Sequence, residues 1–144
     1  MNREEILARA KSLTVAITQP FVMATVSPDG KPDVRWMGAK VLEEPFTVYM
    51  VTFRQSQKVK DIQANANTRL LLFKADFSEQ VALVGTAELD DSAEKKNEVW
   101  QKIPASSDYF KGPADPTFAV IKMAVKHVEL WTSHDQREPV KADV

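Results

Sequence analysis

The chain has 144 residues, 44% of them hydrophobic, with a net charge of −1 and no cysteine, so it is the size of one domain and can form a core. The lack of cysteine excludes disulfides, thiolate metal sites and thiol nucleophiles, and it is typical of a cytoplasmic protein. The near-neutral charge argues against a nucleic-acid binder, and without ~18 consecutive apolar residues we expect no membrane span.

The N-terminal part of the sequence predicts a helix followed by a β-hairpin. Apolar side chains recur at helical spacing over residues 3–17 with charged residues between them, which indicates an amphipathic helix. The stretch "FVMATV" (21–26) is rich in β-branched and aromatic residues, and Pro28-Asp29-Gly30 after it is typical of a turn. "DVRWMGAKVLE" (33–43) then predicts the returning strand.

The rest of the sequence predicts further strands with short helical insertions. Gly85 indicates a bulge or a close backbone approach. In the loop 103–117, Tyr109 and Phe110 either cover a pocket or fill the end of a barrel. We expect strands at 45–52, 68–77, 79–90, 118–125 and 127–132, a helix after Asp91-Ser92 and a flexible tail over about 133–144. About seven antiparallel strands without crossover helices predict one mainly β domain over 1–144, most simply a closed or split antiparallel β-barrel of Greek-key type.

The stretch "TFRQSQKVKDIQAN" (52–65) predicts a strand end, a turn and a helix start at one place. Ser56 is a good N-cap for a helix of about three turns, which we expect to end near Asn65-Ala66-Asn67 with an asparagine in a left-handed cap. Hydroxyls of Thr52 and Ser56, the Lys58 ammonium and the helix N-terminus together favour an anion. The alternative is a capped surface helix with solvated lysines, and these residues alone do not decide between the two.

The strand before this stretch carries two cations among apolar and small residues, Arg35 and Lys40 in "RWMGAK". Arginine suits bidentate contact with phosphate. By itself, however, an arginine on a strand is more often a surface residue.

Taken together, "RWMGAK", "VTFRQSQKVKDIQANANTRLLLF" and "EQVALVGTAELDD" resemble the FMN-binding split-barrel superfamily of pyridoxamine 5'-phosphate oxidases. Within it, the chain is similar to the general stress protein branch, which also has a Trp in the helix after the fifth strand (Trp100), a "YFKGPADP"-like loop and a last strand ending in "VELW". The resemblance covers about residues 20–132.

The resemblance implies a flavin, FMN first with FAD or a deazaflavin as alternatives, bound at the interface of a homodimer. Arg35 and Lys58 would bind its phosphate with help from Thr52 and Ser56, and Gln80 would hydrogen-bond the ring system. Trp131 would reach the flavin held mainly by the other subunit. The full set implied to bind cofactor is Arg35, Trp36, Met37, Lys40, Val51, Thr52, Gln55, Ser56, Lys58, Gln80 and Trp131.

Two departures from the oxidases limit what is carried over. Gln57 stands where the oxidases usually have a second basic residue before the phosphate lysine, although Arg54 could compensate. The Arg-rich, His-containing segment that grips the vitamin phosphate is also missing after the final Trp. We therefore do not expect pyridoxamine 5'-phosphate oxidase activity.

No residue is identified as a catalytic acid, base or nucleophile, and two histidines without cysteine do not suggest a metal site. The expected function is flavin binding, with oxidoreductase activity on an unidentified small substrate. The alternatives are a flavin-binding stress protein without turnover and a deazaflavin-dependent reductase.

Overall fold

The computed structural model describes residues 1–144 as a single antiparallel sheet of eight strands with three α-helices and one 3-10 turn. None of the helices is both long enough and apolar enough to cross a membrane. The helices are α1 (Arg3–Ala16), α2 (Gln57–Ala64) and α3 (Ala93–Lys102), and the 3-10 turn is Pro104–Asp108. The strands are β1 (Phe21–Val26), β2 (Pro32–Met37), β3 (Lys40–Glu43), β4 (Thr47–Phe53), β5 (Asn67–Phe73), β6 (Gln80–Leu89), β7 (Phe118–Trp131) and β8 (Val140–Asp143).

The sheet has the strand order β2-β1-β5-β6-β7-β4-β3, with β8 added beside β7. Its two end strands, β2 and β3, follow each other in the chain but do not pair, so the sheet curls without closing. This arrangement confirms the predicted mainly β, antiparallel split barrel.

The single strand expected over 33–43 is instead two strands, β2 and β3, interrupted at Gly38-Ala39. β2 pairs with β1, whereas β3 pairs with β4 at the opposite end of the sheet. The sequence pattern missed this break because both halves have strand-forming residues, and only their pairing partners distinguish them.

The C-terminal region also differs from its expected form. The strands predicted at 118–125 and 127–132 are one continuous strand, β7. The tail expected to be flexible contains β8, in which Ala142 is buried and Leu130 of β7 pairs with Val140. Arg3 of α1 donates from Nε to the Asp143 carbonyl at 2.8 Å, so the two chain ends are held together.

The bulge predicted at Gly85 is confirmed by a register shift between Val84 and Gly85 where β6 pairs with β7. A Cβ atom at Gly85 would lie 1.9 Å from the Ala124 carbonyl oxygen. Only glycine therefore permits this close approach of two backbones in the centre of the sheet.

Two hydrophobic clusters hold the fold together. The larger one lies between the sheet and α1, whose Ile6, Ala10 and Leu13 are buried as the helical spacing predicted. The smaller one lies on another part of the sheet, where α3 and the loop after it cover β4 and β7. It includes Phe110 and Phe118, whose ring centroids are 5.0 Å apart. Each large side chain buried in this way contributes ~1.5–3 kcal/mol, so this cluster fixes the position of the loop.

Candidate functional site

A cavity of about 440 Å³ lies between the end of β2, the end of β4, the start of α2 and the loop after α3. We call it the Lys58 cavity. Most of its lining is hydrophobic, and its polar side chains include Lys58 and Thr52. Five of the residues predicted to bind a cofactor line it, namely Trp36, Met37, Val51, Thr52 and Lys58.

Lys58 is positioned by its place in the first turn of α2 and by a hydrogen bond from its Nζ to Thr52 Oγ1 at 2.9 Å. Thr52 Oγ1 is in turn 3.4 Å from Ser56 Oγ. The structure therefore brings together the two hydroxyls and the ammonium that the sequence indicated as an anion site. Burial first, and the nearby Arg35 charge second, lower the pKa of Lys58. An anion in the cavity would offset both effects.

Helix α2 itself is shorter than predicted, with eight residues instead of about three turns. Ser56 occupies the N-cap position as predicted, but its side chain makes no capping bond and faces Thr52. The predicted left-handed cap at Asn65 is wrong, since Asn65 has φ −148° and is extended. The chain enters β5 two residues later, which requires extended backbone at that point.

Arg35 does not line the Lys58 cavity but lies beside it in a buried polar cluster. Its guanidinium donates to Thr25 Oγ1 at 2.7 Å and to Asp61 Oδ2 at 3.4 Å. Asp61 is fully buried and also accepts hydrogen bonds from Thr25 at 2.7 Å and from Gln57 at 2.9 Å. The charge of Arg35 is thus compensated within the protein, whereas that of Lys58 has no carboxylate partner.

Asp61 was not recognised as a site residue from the sequence. Burial alone would raise its pKa, but hydrogen bonds from Gln57 and Thr25, contact with Asp33 and the Arg35 charge outweigh burial and lower it. The same contact with Asp61 raises the pKa of Asp33. No local pattern marks Asp61 as buried, because adjacent helical residues such as Asp61 and Ile62 point about 100° apart and a carboxylate is usually exposed.

Gln57 occupies the position where the oxidases usually have a second basic residue, and Arg54 was the residue that could compensate for it. Both side chains have other partners in the structure. Arg54 forms a two-point ion pair with Asp91, one arm of which measures 3.2 Å, and also donates to the Pro116 carbonyl. Gln57 donates to Asp61. The expectation that Arg54 compensates for Gln57 is therefore not supported by the geometry.

Gln80 and Trp131 pair across β6 and β7 and line a different cavity of about 440 Å³, which also includes Phe77 and His134. Within one subunit these two residues are not part of the Lys58 cavity.

Lys40 is also turned away from the Lys58 cavity. Its Nζ donates to the Ile17 carbonyl at 2.5 Å and lies 5.2 Å from the centroid of the Phe21 ring. Burial lowers the pKa of Lys40. Gln55 is exposed in the turn before α2, outside the cavity lining. Lys40 therefore meets the end of α1, and neither residue is brought to Lys58.

The loop after α3 both covers the cavity and fills part of the core, which are the two interpretations that the sequence left open for Tyr109 and Phe110. Phe110 is buried against Phe118, while Tyr109 is 69% exposed, and both line the Lys58 cavity. Phe53 joins them, with its ring centroid 4.8 Å from that of Phe110 and 6.4 Å from that of Tyr109. The lining of the cavity therefore combines a cluster of aromatic side chains with the ammonium of Lys58.

Comparison with known proteins identifies the family. A family model described as pyridoxamine 5'-phosphate oxidase matches residues 12–132. The chain belongs to the pyridoxamine 5'-phosphate oxidase family. General stress protein 26 of Bacillus subtilis is 26% identical over 125 residues, covering 85% of each chain. A pyridoxine/pyridoxamine 5'-phosphate oxidase of Rubrobacter xylanophilus is 23% identical, covering 88% of this chain and 72% of that protein.

A solved structure agrees with this family assignment. The crystal structure of General Stress Protein 26 from Bacillus anthracis has a TM-score of 0.72 at 25% identity, covering 93% of this chain and 98% of that one. The resemblance to the oxidase family and to its general stress protein branch, which the sequence blocks suggested, is thus confirmed. The resemblance implied a helix that contains Trp100, then a loop, then a last strand that ends in "VELW". The structure has these elements in that order, as α3, the loop after it and β7.

Proposed function

We propose that the Lys58 cavity binds a flavin nucleotide, FMN first, and that the protein acts as a flavin-dependent oxidoreductase on a small substrate. The observation that carries this proposal is the pairing, in one cavity, of an uncompensated half-buried ammonium with an apolar, partly aromatic wall. A flavin nucleotide combines a phosphate with a large flat ring system, so the cationic and the apolar parts of the lining match its two parts. Membership of the oxidase family supports the same proposal.

The residues present fit such a group. Lys58, Thr52 and Ser56 would hold the phosphate through charge-assisted and hydroxyl hydrogen bonds. Trp36 and Met37 would lie along the ring system from the β2 side. Arg35, held by Asp61, would add positive potential beside the phosphate without leaving an unpaired charge in the ligand-free protein.

The flavin, when bound, supplies the redox chemistry. The protein contributes binding, orientation and exclusion of water, since the lining of the cavity contains no carboxylate or histidine. Absence of such groups is compatible with a reaction that needs no protein acid or base.

We further propose that the flavin site is completed in a homodimer. Val34 and Trp36 are 69% and 71% exposed on the same face of β2, an apolar surface beside the Lys58 cavity. Gln80 and Trp131 line a separate cavity of the same subunit, so they would reach a flavin only across a subunit interface. Light scattering of the flavin-loaded protein should give twice the chain mass of 16.2 kDa. A tightly loaded monomer would remove the role given to Trp131.

Titration with FMN at neutral pH tests the main proposal. We expect quenching of flavin fluorescence and a thermal shift, with a dissociation constant at or below about 1 µM, equivalent to about −8 kcal/mol. Riboflavin should bind more weakly, because it lacks the phosphate that Lys58 addresses. No quenching and no thermal shift with FMN would reject flavin binding. Anaerobic reduction of the loaded protein by NADH or NADPH then tests the oxidoreductase part separately.

A further inference from the structure

Ser106 carries the only buried side-chain nitrogen or oxygen atom that has no hydrogen-bond partner in the structure. It lies in the 3-10 turn Pro104–Asp108 and is 1% exposed. A buried hydroxyl without a partner is unfavourable, because it has lost its bonds to water and gained none in return. Such groups are rare in folded proteins and call for an explanation at each occurrence.

The local structure does not explain why the Ser106 hydroxyl is buried. The backbone of Ser106 is fully used, since its N–H donates to Ile103 and its carbonyl accepts from Tyr109 and Phe110. The next residue, Ser107, instead donates its hydroxyl to the Pro104 carbonyl at 3.0 Å, which is the usual local role of a serine in such a turn. The buried threonines of the chain, Thr14, Thr25, Thr52 and Thr68, all have hydrogen-bond partners.

The position of Ser106 supplies the explanation that its local contacts lack. Ser106 lines the Lys58 cavity on the side formed by the loop after α3, together with Phe110 and Tyr109. Binding a phosphate among these aromatic side chains would cost its hydration free energy, whereas a polar atom of a flat heterocycle could hydrogen-bond an isolated hydroxyl there. The polar residues of the lining thus include Lys58 and Thr52 near the start of α2, and Ser106 in the loop that carries Phe110 and Tyr109.

We propose that Ser106 is a ligand-binding residue of the Lys58 cavity, and that its hydroxyl hydrogen-bonds a polar atom of the flavin other than the phosphate. This inference rests on the proposed function, since it names a contact within the same site. The loop after α3 would then help to recognise the ring system of the flavin through Ser106, while Lys58 recognises the phosphate.

The test compares Ser106→Ala with the adjacent control Ser107→Ala, each titrated with FMN and with riboflavin. Ser106→Ala should weaken both ligands by the same factor, about threefold to tenfold, tenfold being about 1.4 kcal/mol. Ser107→Ala should leave both affinities unchanged. In the ligand-free protein, Ser106→Ala should melt at the same temperature as wild type or higher, because the substitution removes an unpaired buried group.

Three results would overturn the inference while flavin binding stands. The first is wild-type affinity of Ser106→Ala for both ligands. The second is a loss confined to FMN, which would place the contact at the phosphate. The third is a lower melting temperature of ligand-free Ser106→Ala, which would show that the hydroxyl serves the fold. If the wild-type protein binds neither FMN nor riboflavin, the proposed function fails, and the inference fails with it.

Discussion

Replacing Lys58 by alanine tests the cationic end of the Lys58 cavity directly. Lys58 is the one lining residue that brings a full positive charge into the cavity, and its Nζ is already fixed by Thr52 at 2.9 Å. Because the side chain is ordered before any ligand binds, little rotamer entropy is lost when a phosphate arrives. The contribution of Lys58 to binding should therefore be close to that of a good charge-assisted hydrogen bond.

Such a bond contributes ~1.5–3 kcal/mol. The Lys58→Ala variant should bind FMN about tenfold to a hundredfold more weakly, since each 1.4 kcal/mol is a factor of about ten. The stability of the ligand-free protein should change little. The lost bond to Thr52 is offset by relief of the burial and of the Arg35 repulsion that lower the pKa of Lys58.

The assay is a fluorescence titration of each variant with FMN and with riboflavin, alongside a thermal melt without ligand. Lys60→Ala is the matched control, because Lys60 is exposed on the same helix and does not line the cavity. Lys58→Ala should lose affinity for FMN but keep that for riboflavin. Equal losses for Lys58→Ala and Lys60→Ala would indicate a diffuse basic surface. An unchanged FMN affinity in Lys58→Ala would refute the phosphate site.

Three further predictions concern the stability of the folded protein. Gly85→Ala should abolish or severely weaken folding, because its Cβ would lie 1.9 Å from a backbone oxygen. Gly112→Ala is the control, since a Cβ there would have no atom within 4 Å, and comparable melting curves for the two variants would contradict this prediction. Asp61→Asn should lower the unfolding free energy by about 3 kcal/mol by leaving the largely buried Arg35 without its carboxylate partner, and a double-mutant cycle with Arg35→Met showing no coupling would refute the pairing. Hydrogen bonds from cationic side chains lower the pKa of Glu79, so its stabilising contribution is complete above the unfolded pKa of about 4.3 and is lost as pH falls through the lower folded value. In acid titrations followed by circular dichroism, Glu79→Gln should therefore lose less stability than wild type between about pH 5 and pH 2; parallel curves would argue against the shift.

Local sequence signals predicted most of the fold because they depend on neighbours in the chain. Helix α1, the hairpin of β1 and β2, the N-cap position of Ser56 and the bulge at Gly85 all follow from side-chain spacing or turn chemistry within a few residues. The joining of Thr52, Ser56 and Lys58 was predictable for the same reason, since a strand end and a helix start meet there.

The break at Gly38-Ala39 and the strand β8 could not be predicted from local pattern. Both depend on which distant strand supplies the hydrogen bonds, β4 for β3 and β7 for β8. The pairing of Arg54 with Asp91 is of the same kind, because an arginine looks the same in the sequence whether or not a carboxylate 37 residues away lies beside it.

By itself, the sequence determined that this chain is an antiparallel β domain of the oxidase type. It also determined that a lysine and two hydroxyls meet at one helix start. Both follow from the order, spacing and type of residues at neighbouring positions. Only the tertiary structure decided which charges are available to a ligand. Arg35 is compensated by the buried Asp61, Arg54 by Asp91, and Lys58 alone faces the cavity without a carboxylate. It also decided that the hydroxyl of Ser106 is buried without a partner at the cavity wall. The physical reason is that compensation and burial depend on distances of a few ångströms between residues far apart in the chain, which no local pattern encodes.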